Sequence, residues 1–452
     1  MKLEIRPKLA SVDLVLKNGF VFTQNGLQKV SIAVAGGRIV RLFSDDSISS
    51  EKSIDLEGKI VIPGLIDTHD HFREPGHEES EDWITGSKAA AAGGVTMAVG
   101  MPNLTPPPNS LELYEKTVKL ASKSLIDFNH WALPTKLDEV QKIVDYGACG
   151  FKFFMRFDPW GYPHNPEFAI TDNGVILETF RAISKAGSVC CVHPFDQQIW
   201  DVKTNLVDKK EGGKKEGQTG GMVNAFLYDD KAIVSTSGIS KTIIISDAVN
   251  CKLHVLHVNT RWTIQMCRMY KANGYRFTVE TNPRGIAPIW PAEQADILSA
   301  IQSIIDGTTD VIGTDHAPHS KEQAEGKQRL SWPFVQNYLR VMLNQVNFGR
   351  LGLDSVVRTV STNPAKLLGL YPKKGVIAEG SDADFAVIDM KQRYTINLKD
   401  HYSKSNWVDP WEGLELIGGP VMTIVRGEVV MENQKILGRS GYGQFVKPVS
   451  RA

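Results

Sequence analysis

The chain has 452 residues, long enough for one large domain and a smaller one, and its 51 Lys+Arg exactly balance 51 Asp+Glu. Zero net charge argues against a nucleic-acid partner, which needs a basic face. No apolar run is long enough for a membrane span, and the opening MKLEIRPKLASVDL has no apolar signal core. The five cysteines (149, 190, 191, 251 and 267) do not read as a disulfide framework, so a reduced, cytoplasmic protein is expected.

Residues 12–60 hold short β-type runs, VDLVLKNGFVFT, SIAVAGGRIVRLF and SIDLEGKIV, punctuated by Asn18-Gly19, Asn25-Gly26 and Gly36-Gly37. The same texture returns in ADFAVIDM (383–390) and VMTIVRGEVVMENQKIL (421–437). Two β-rich ends around a different middle suggest one small domain built from both: residues 1–60 and 373–452, with 61–372 between them. In the middle, strands are expected at 61–68, 94–100, 126–133, 148–154, 187–193, 252–258, 275–280 and 309–314. Helices are expected at 80–92, 111–123, 137–146, 175–186, 260–273 and 292–307. Eight apolar strands alternating with helices read as an α/β protein of the (β/α)8 TIM-barrel type, ahead of an open doubly wound sheet.

Active sites of such barrels lie at the C-terminal ends of the strands, and the polar residues of this chain fall there. The first strand runs into His69-Asp70-His71, and residues two apart in a strand share a face. His69 and His71 therefore converge, as borderline ligands suited to zinc and its neighbours. Lys152 interrupts the apolar run Gly150-Phe151-Lys152-Phe153-Phe154, His193 and His257 end the fifth and sixth strands, and Asp315 follows the eighth. His254 lies at an odd offset from His257 and reads as structural. Burial lowers a lysine's pKa, and a neutral amine can take up carbon dioxide as an anionic carbamate able to bridge two metals. The alternative is a Lys152 paired with a buried carboxylate.

GLIDTHDHFREPG, AAAAGGVTMAVGMPN, GFKFF, HVLHV, GTDHAPH, STNPAKLLGL and EGSDADFAVID resemble the cyclic amidohydrolases of the amidohydrolase superfamily (dihydroorotase, allantoinase, hydantoinase and dihydropyrimidinase) across nearly the whole chain. The resemblance implies a barrel beside a small β-sandwich, in a homo-oligomer (dimer or tetramer). It also implies two divalent metals, zinc foremost, held by His69, His71, carboxylated Lys152, His193, His257 and Asp315. A metal-bridging hydroxide would open a small cyclic amide, with Asp315 as the catalytic proton shuttle. Arg73, Asn103 and His319 look like dihydroorotase's substrate-carboxylate site. Dihydroorotate/N-carbamoyl-aspartate interconversion, a reaction of pyrimidine biosynthesis, is therefore the leading expectation, with allantoinase or hydantoinase activity second. A non-catalytic scaffold is a third reading, although such proteins typically lose ligands and none of the six is missing here. Arg73 has an alternative as a salt-bridge partner of Glu74 or Glu78, and His319 as a loop cap.

Two segments depart from the pattern. His193-Pro194-Phe195 stands where the family usually has a small residue or Cys followed by an acid. ETNPRGIAPIW shortens the connection after the seventh strand, where Asn282 and Arg284 are candidates to replace lost substrate contacts; the alternative is a more open pocket. DKKEGGKKEGQTGG (208–221) reads as a solvated loop, a surface insertion rather than a lid.

Overall fold

The computed structural model describes residues 12–44, 48–157, 165–210, 230–287, 294–327 and 332–449. Eight parallel strands follow one another in chain order around the barrel: Leu65–Asp70, Val95–Gly100, Asp127–Ala132, Gly150–Phe154, Val189–His193, Lys252–Val255, Thr278–Thr281 and Val311–Ile312. The last strand is short, and closure onto the first is completed just beyond it. The N–H of His71 donates to His316 O (2.8 Å), that of His316 to His69 O (3.2 Å), and Asp67 Oδ1 accepts from Thr314 N–H at 3.1 Å. The fold is the expected (β/α)8 barrel.

The six expected helices start within three residues of their sequence-based positions and side-chain caps mark four of those starts, whereas Gln197–Lys210, Ile233–Ala248 and Tyr338–Asn347 were not among the expected ones. Asp82 accepts from the N–H groups of Ile84 and Thr85 ahead of Trp83–Ala92, and Ser110, Asp172 and Thr260 cap Leu111–Ala121, Asn173–Lys185 and Arg261–Ala272. Of the 208–221 segment, residues 208–210 end the helix Gln197–Lys210 and the rest lies outside the described residues.

Both ends of the chain form two further sheets. One contains Val12–Lys17, Ser31–Ala35, Arg38–Phe43 and Ser50–Asp55; Gly36 and Gly37, both at positive φ, make the two-residue turn of its hairpin. The other joins Phe20–Thr23, Gly26–Gln28 and Ile60–Pro63 to Phe385–Thr395, Glu415–Val425, Glu428–Glu432 and Lys435–Ile436. Leu14, Leu16, Ile32, Val34, Val61, Phe385 and Ile424 form their shared core, so this is a β-sandwich made from both termini.

The expected strand 61–68 is in fact two strands. Ile60–Pro63 pairs antiparallel with Phe385–Ile388 in the sandwich, and Leu65–Asp70 enters the barrel. Gly64 separates them where a Cβ would come within 2.2 Å of Thr96 Oγ1. The Pro63-Gly64 pair that interrupts the apolar run marks the point where it passes from one sheet to the other.

Candidate active site

The C-terminal rim gathers the polar strand ends. The rings of His69 and His71 lie 5.4 Å apart, and their Nε2 atoms face Asp315 Oδ1 at 3.2 and 3.5 Å. Each ring is oriented through its other nitrogen: His69 Nδ1 bonds Glu280 Oε1 (2.7 Å) and His71 Nδ1 bonds Asn103 Oδ1 (2.8 Å). With these acceptors holding the Nδ1 protons, both Nε2 lone pairs point the same way, the arrangement of metal-ligating imidazoles with supporting partners. His69, His71 and Asp315 can together hold a metal ion.

His193 and His257 form the adjoining half of the site. His193 Nδ1 and His257 Nε2 are 2.9 Å apart, and His257 lies 5.9 Å from His69, ring to ring. Burial is the main cause that pushes His257 down to about 3, so its imidazole is neutral, as a ligand must be. Lys152 is fully buried. Its Nζ makes no hydrogen bond and sits 4.3 Å from the centre of the Phe154 ring. Burial lowers its pKa to about 8 despite the opposing charge of Asp315. The alternative in which a buried carboxylate pairs with Lys152 finds no such partner among the described residues. The donor chemistry, the convergent lone pairs and this unpaired amine fit a metal centre.

Asp315, His257 and Arg73 all have left-handed backbone, with φ of 52°, 41° and 62°. Such conformations are uncommon outside glycine and tend to mark functional sites. For His257 this overturns the alternation argument. The sixth strand ends at Val255, so the backbone turns before His257 and strand parity no longer assigns its face. His254 is buried, with Nδ1 2.7 Å from Thr278 Oγ1 and Nε2 3.7 Å from Glu280 Oε2.

Arg73 is buried beside His71, its Nε donating to Pro318 O at 3.1 Å. Glu74, offered as its alternative partner, instead pairs with Lys123. His319 is buried on the same loop, with Nδ1 3.1 Å from Gln323 Oε1. Asn103 reaches the site by holding His71.

Asn282 is buried at the strand ends, where its side chain bonds Gly313 O (2.8 Å), Glu280 Oε1 (3.3 Å) and Asn259 (3.1 Å). Its neighbour Arg284 reaches inward, with NH1 2.8 Å from Asp315 Oδ2. Burial alone would raise the Asp315 pKa. Arg284 and the surrounding imidazoles outweigh it and hold the carboxyl well below the usual range.

Glu280 went unread in the sequence, although it ends the expected seventh strand. Burial would raise its pKa, but His69 and His254 more than offset that and keep it ionised. An acid at the last position of a predicted barrel strand was the available signal. None of the described helices is long and apolar enough to cross a membrane.

A model of the amidohydrolase family matches residues 60–430. An L-hydantoinase from Paenarthrobacter aurescens is 28% identical over 463 residues, covering 96% of this chain and 98% of that protein. A dihydroorotase from Methanothermobacter thermautotrophicus is 30% identical over 442 residues, covering 92% and 94%. The solved L-hydantoinase (dihydropyrimidinase) from Arthrobacter aurescens superposes with a TM-score of 0.87 at 27% identity, over 96% of this chain and all of that one. The chain therefore belongs to the amidohydrolase family.

Proposed function

We propose that the protein is a binuclear-metal cyclic amide hydrolase whose substrate carries a carboxylate, with dihydroorotate/N-carbamoyl-aspartate interconversion as its reaction. The observation that carries this reading is Arg73, a buried guanidinium beside His71 and tied to the loop of His319. A guanidinium matches a carboxylate in shape and charge. His69, His71, Lys152 as its carbamate, His193, His257 and Asp315 would hold two divalent ions, zinc by donor type, which supply carbonyl polarisation and a low-pKa water.

The protein's own groups do the rest. Glu280 and Asn103 fix the two imidazoles, and Arg284 holds one Asp315 oxygen so that the other faces them. Asp315 takes the proton of the attacking water and returns it to the departing ring nitrogen. Oxygen joins the carbonyl carbon, the C–N bond breaks, and the product is the ring-opened acid. Reversal of these steps closes the ring.

A hydantoinase or allantoinase reading is favoured by one observation: Asn103 Oδ1 is engaged by His71, which leaves a weaker substrate-carboxylate set. The discriminating experiment supplies zinc and bicarbonate and follows dihydroorotate, hydantoin and allantoin by loss of ring-amide absorbance or appearance of product. Turnover of dihydroorotate, selectively lost by about 10–100-fold in Arg73→Met relative to a neutral substrate, supports the carboxylate reading. Equal losses on both substrates would remove it. No turnover of any of them, with fewer than two metals retained, would favour the scaffold.

A further inference from the structure

A second concavity lies at the opposite end of the barrel, where strands begin. It measures about 620 Å3 and is lined by residues that open the fifth to eighth strands: Val189, Lys252, Thr278 and Val311. This is within the roughly 300–1,000 Å3 range of small-molecule pockets. The catalytic residues described above are on the other rim, so the cavity belongs to neither the metal centre nor its substrate loop.

Its lining is divided by chemistry. Val189, Leu253, Phe277, Val311 and Leu368 are buried and make an apolar floor. Lys252, Arg276 and Lys366 are exposed and also line the cavity, so they lie toward its mouth. The one acid of the lining, Asp310, is already neutralised: Lys271 Nζ is 2.6 Å from its Oδ2, which also accepts from Val279 N–H at 2.8 Å. Arg276, Lys366 and Lys252 thus stand around an interior whose own two charges cancel. A neutral apolar ligand would make no use of Arg276 and Lys366, and a small inorganic anion would leave the floor uncovered.

We propose that this cavity binds a small organic anion with an apolar body, its carboxylate or phosphate at Arg276, Lys366 and Lys252 and its hydrocarbon or ring on the floor. The proposal does not depend on which cyclic amide the other rim acts on.

Octanoate is the probe, titrated calorimetrically into the metal-loaded protein, with hexanoate, acetate and octan-1-ol as comparisons. Octanoate should saturate a single site, and affinity should fall about fourfold for each methylene removed, as expected for chain burial. The Arg276→Glu/Lys366→Glu double variant should weaken octanoate by about tenfold or more and leave octan-1-ol and catalytic turnover unchanged. Lys252→Glu gives an independent reading of the same cluster. Arg73→Met should keep octanoate binding intact. The proposal is overturned if octan-1-ol binds as tightly as octanoate, if chain length has no effect, if the charge reversals change nothing, or if Arg73→Met abolishes binding, which would place the probe in the catalytic site.

Discussion

Two buried lysines sit at opposite ends of the same barrel, in opposite circumstances. Lys374 lies among three carboxylates: its Nζ is 2.7 Å from Asp127 Oδ2 and 3.2 Å from Asp382 Oδ2, and it also bonds Asp384. Arg426 pairs with the other oxygen of Asp127. Asp127 opens the third barrel strand, and Asp382 and Asp384 lead into Phe385–Thr395, so this network fastens the barrel to the β-sandwich. The three aspartates are close enough to hold a metal ion, but an ammonium already occupies their centre. Lys152 has no such company. It is completely buried without a hydrogen bond, beside imidazoles whose Nε2 atoms are left to coordinate. The comparison shows that burial of a charged residue type does not mark function. What marks it is whether the fold supplies the partners that burial demands.

Removing each lysine is the most direct way to break the comparison. Lys152→Met should abolish turnover and lower metal content, yet leave the melting temperature of the metal-free protein unchanged or raised, because there it replaces an unpaired buried amine with an apolar chain. A large loss of stability with metals retained would show that Lys152 is structural. Asp315→Asn should reduce turnover by about 10²–10⁴-fold while much of the metal stays bound; full activity in that variant would remove the proton-shuttle role. Lys374→Met should do the reverse of Lys152→Met. By stranding buried carboxylates it should cost about 3–5 kcal/mol in a denaturant titration, with turnover per folded molecule preserved. The smallest effect is expected at Glu280→Gln, where weaker support of His69 should lower metal affinity by about 10–100-fold, measured by competition with a chelator. Unchanged affinity would make Glu280 a packing residue only.

The Lys374 network also explains why acidic clusters are hard to interpret from sequence. Asp382 and Asp384 are two residues apart, like His69 and His71, and the local pattern is the same. The residues that decide their meaning, Asp127 and Lys374, are 247 positions apart in the chain. Asn282 and Arg284 pose the same problem on a smaller scale. Both sit in the shortened segment after the seventh strand, and only the packing of Asn259 and Gly313 turns Asn282 inward, while Arg284 meets Asp315.

By itself the sequence determined the features that depend on near neighbours: strand positions and six helix positions from the alternation of apolar runs, the shared face of His69 and His71, and the run of polar residues at strand ends that announced a barrel rim. Those follow from backbone geometry over a few residues. Tertiary structure alone decided which sheet each half of the run 61–68 joins, how the short eighth strand closes through His316, which ring nitrogen Glu280 and Asn103 engage, and which of two buried lysines is left unpaired. It also decided that cations from three separate segments border one apolar cavity. Each of these depends on contacts between residues distant in the chain, and a hydrogen bond or an ion pair has no meaning until both partners are in place.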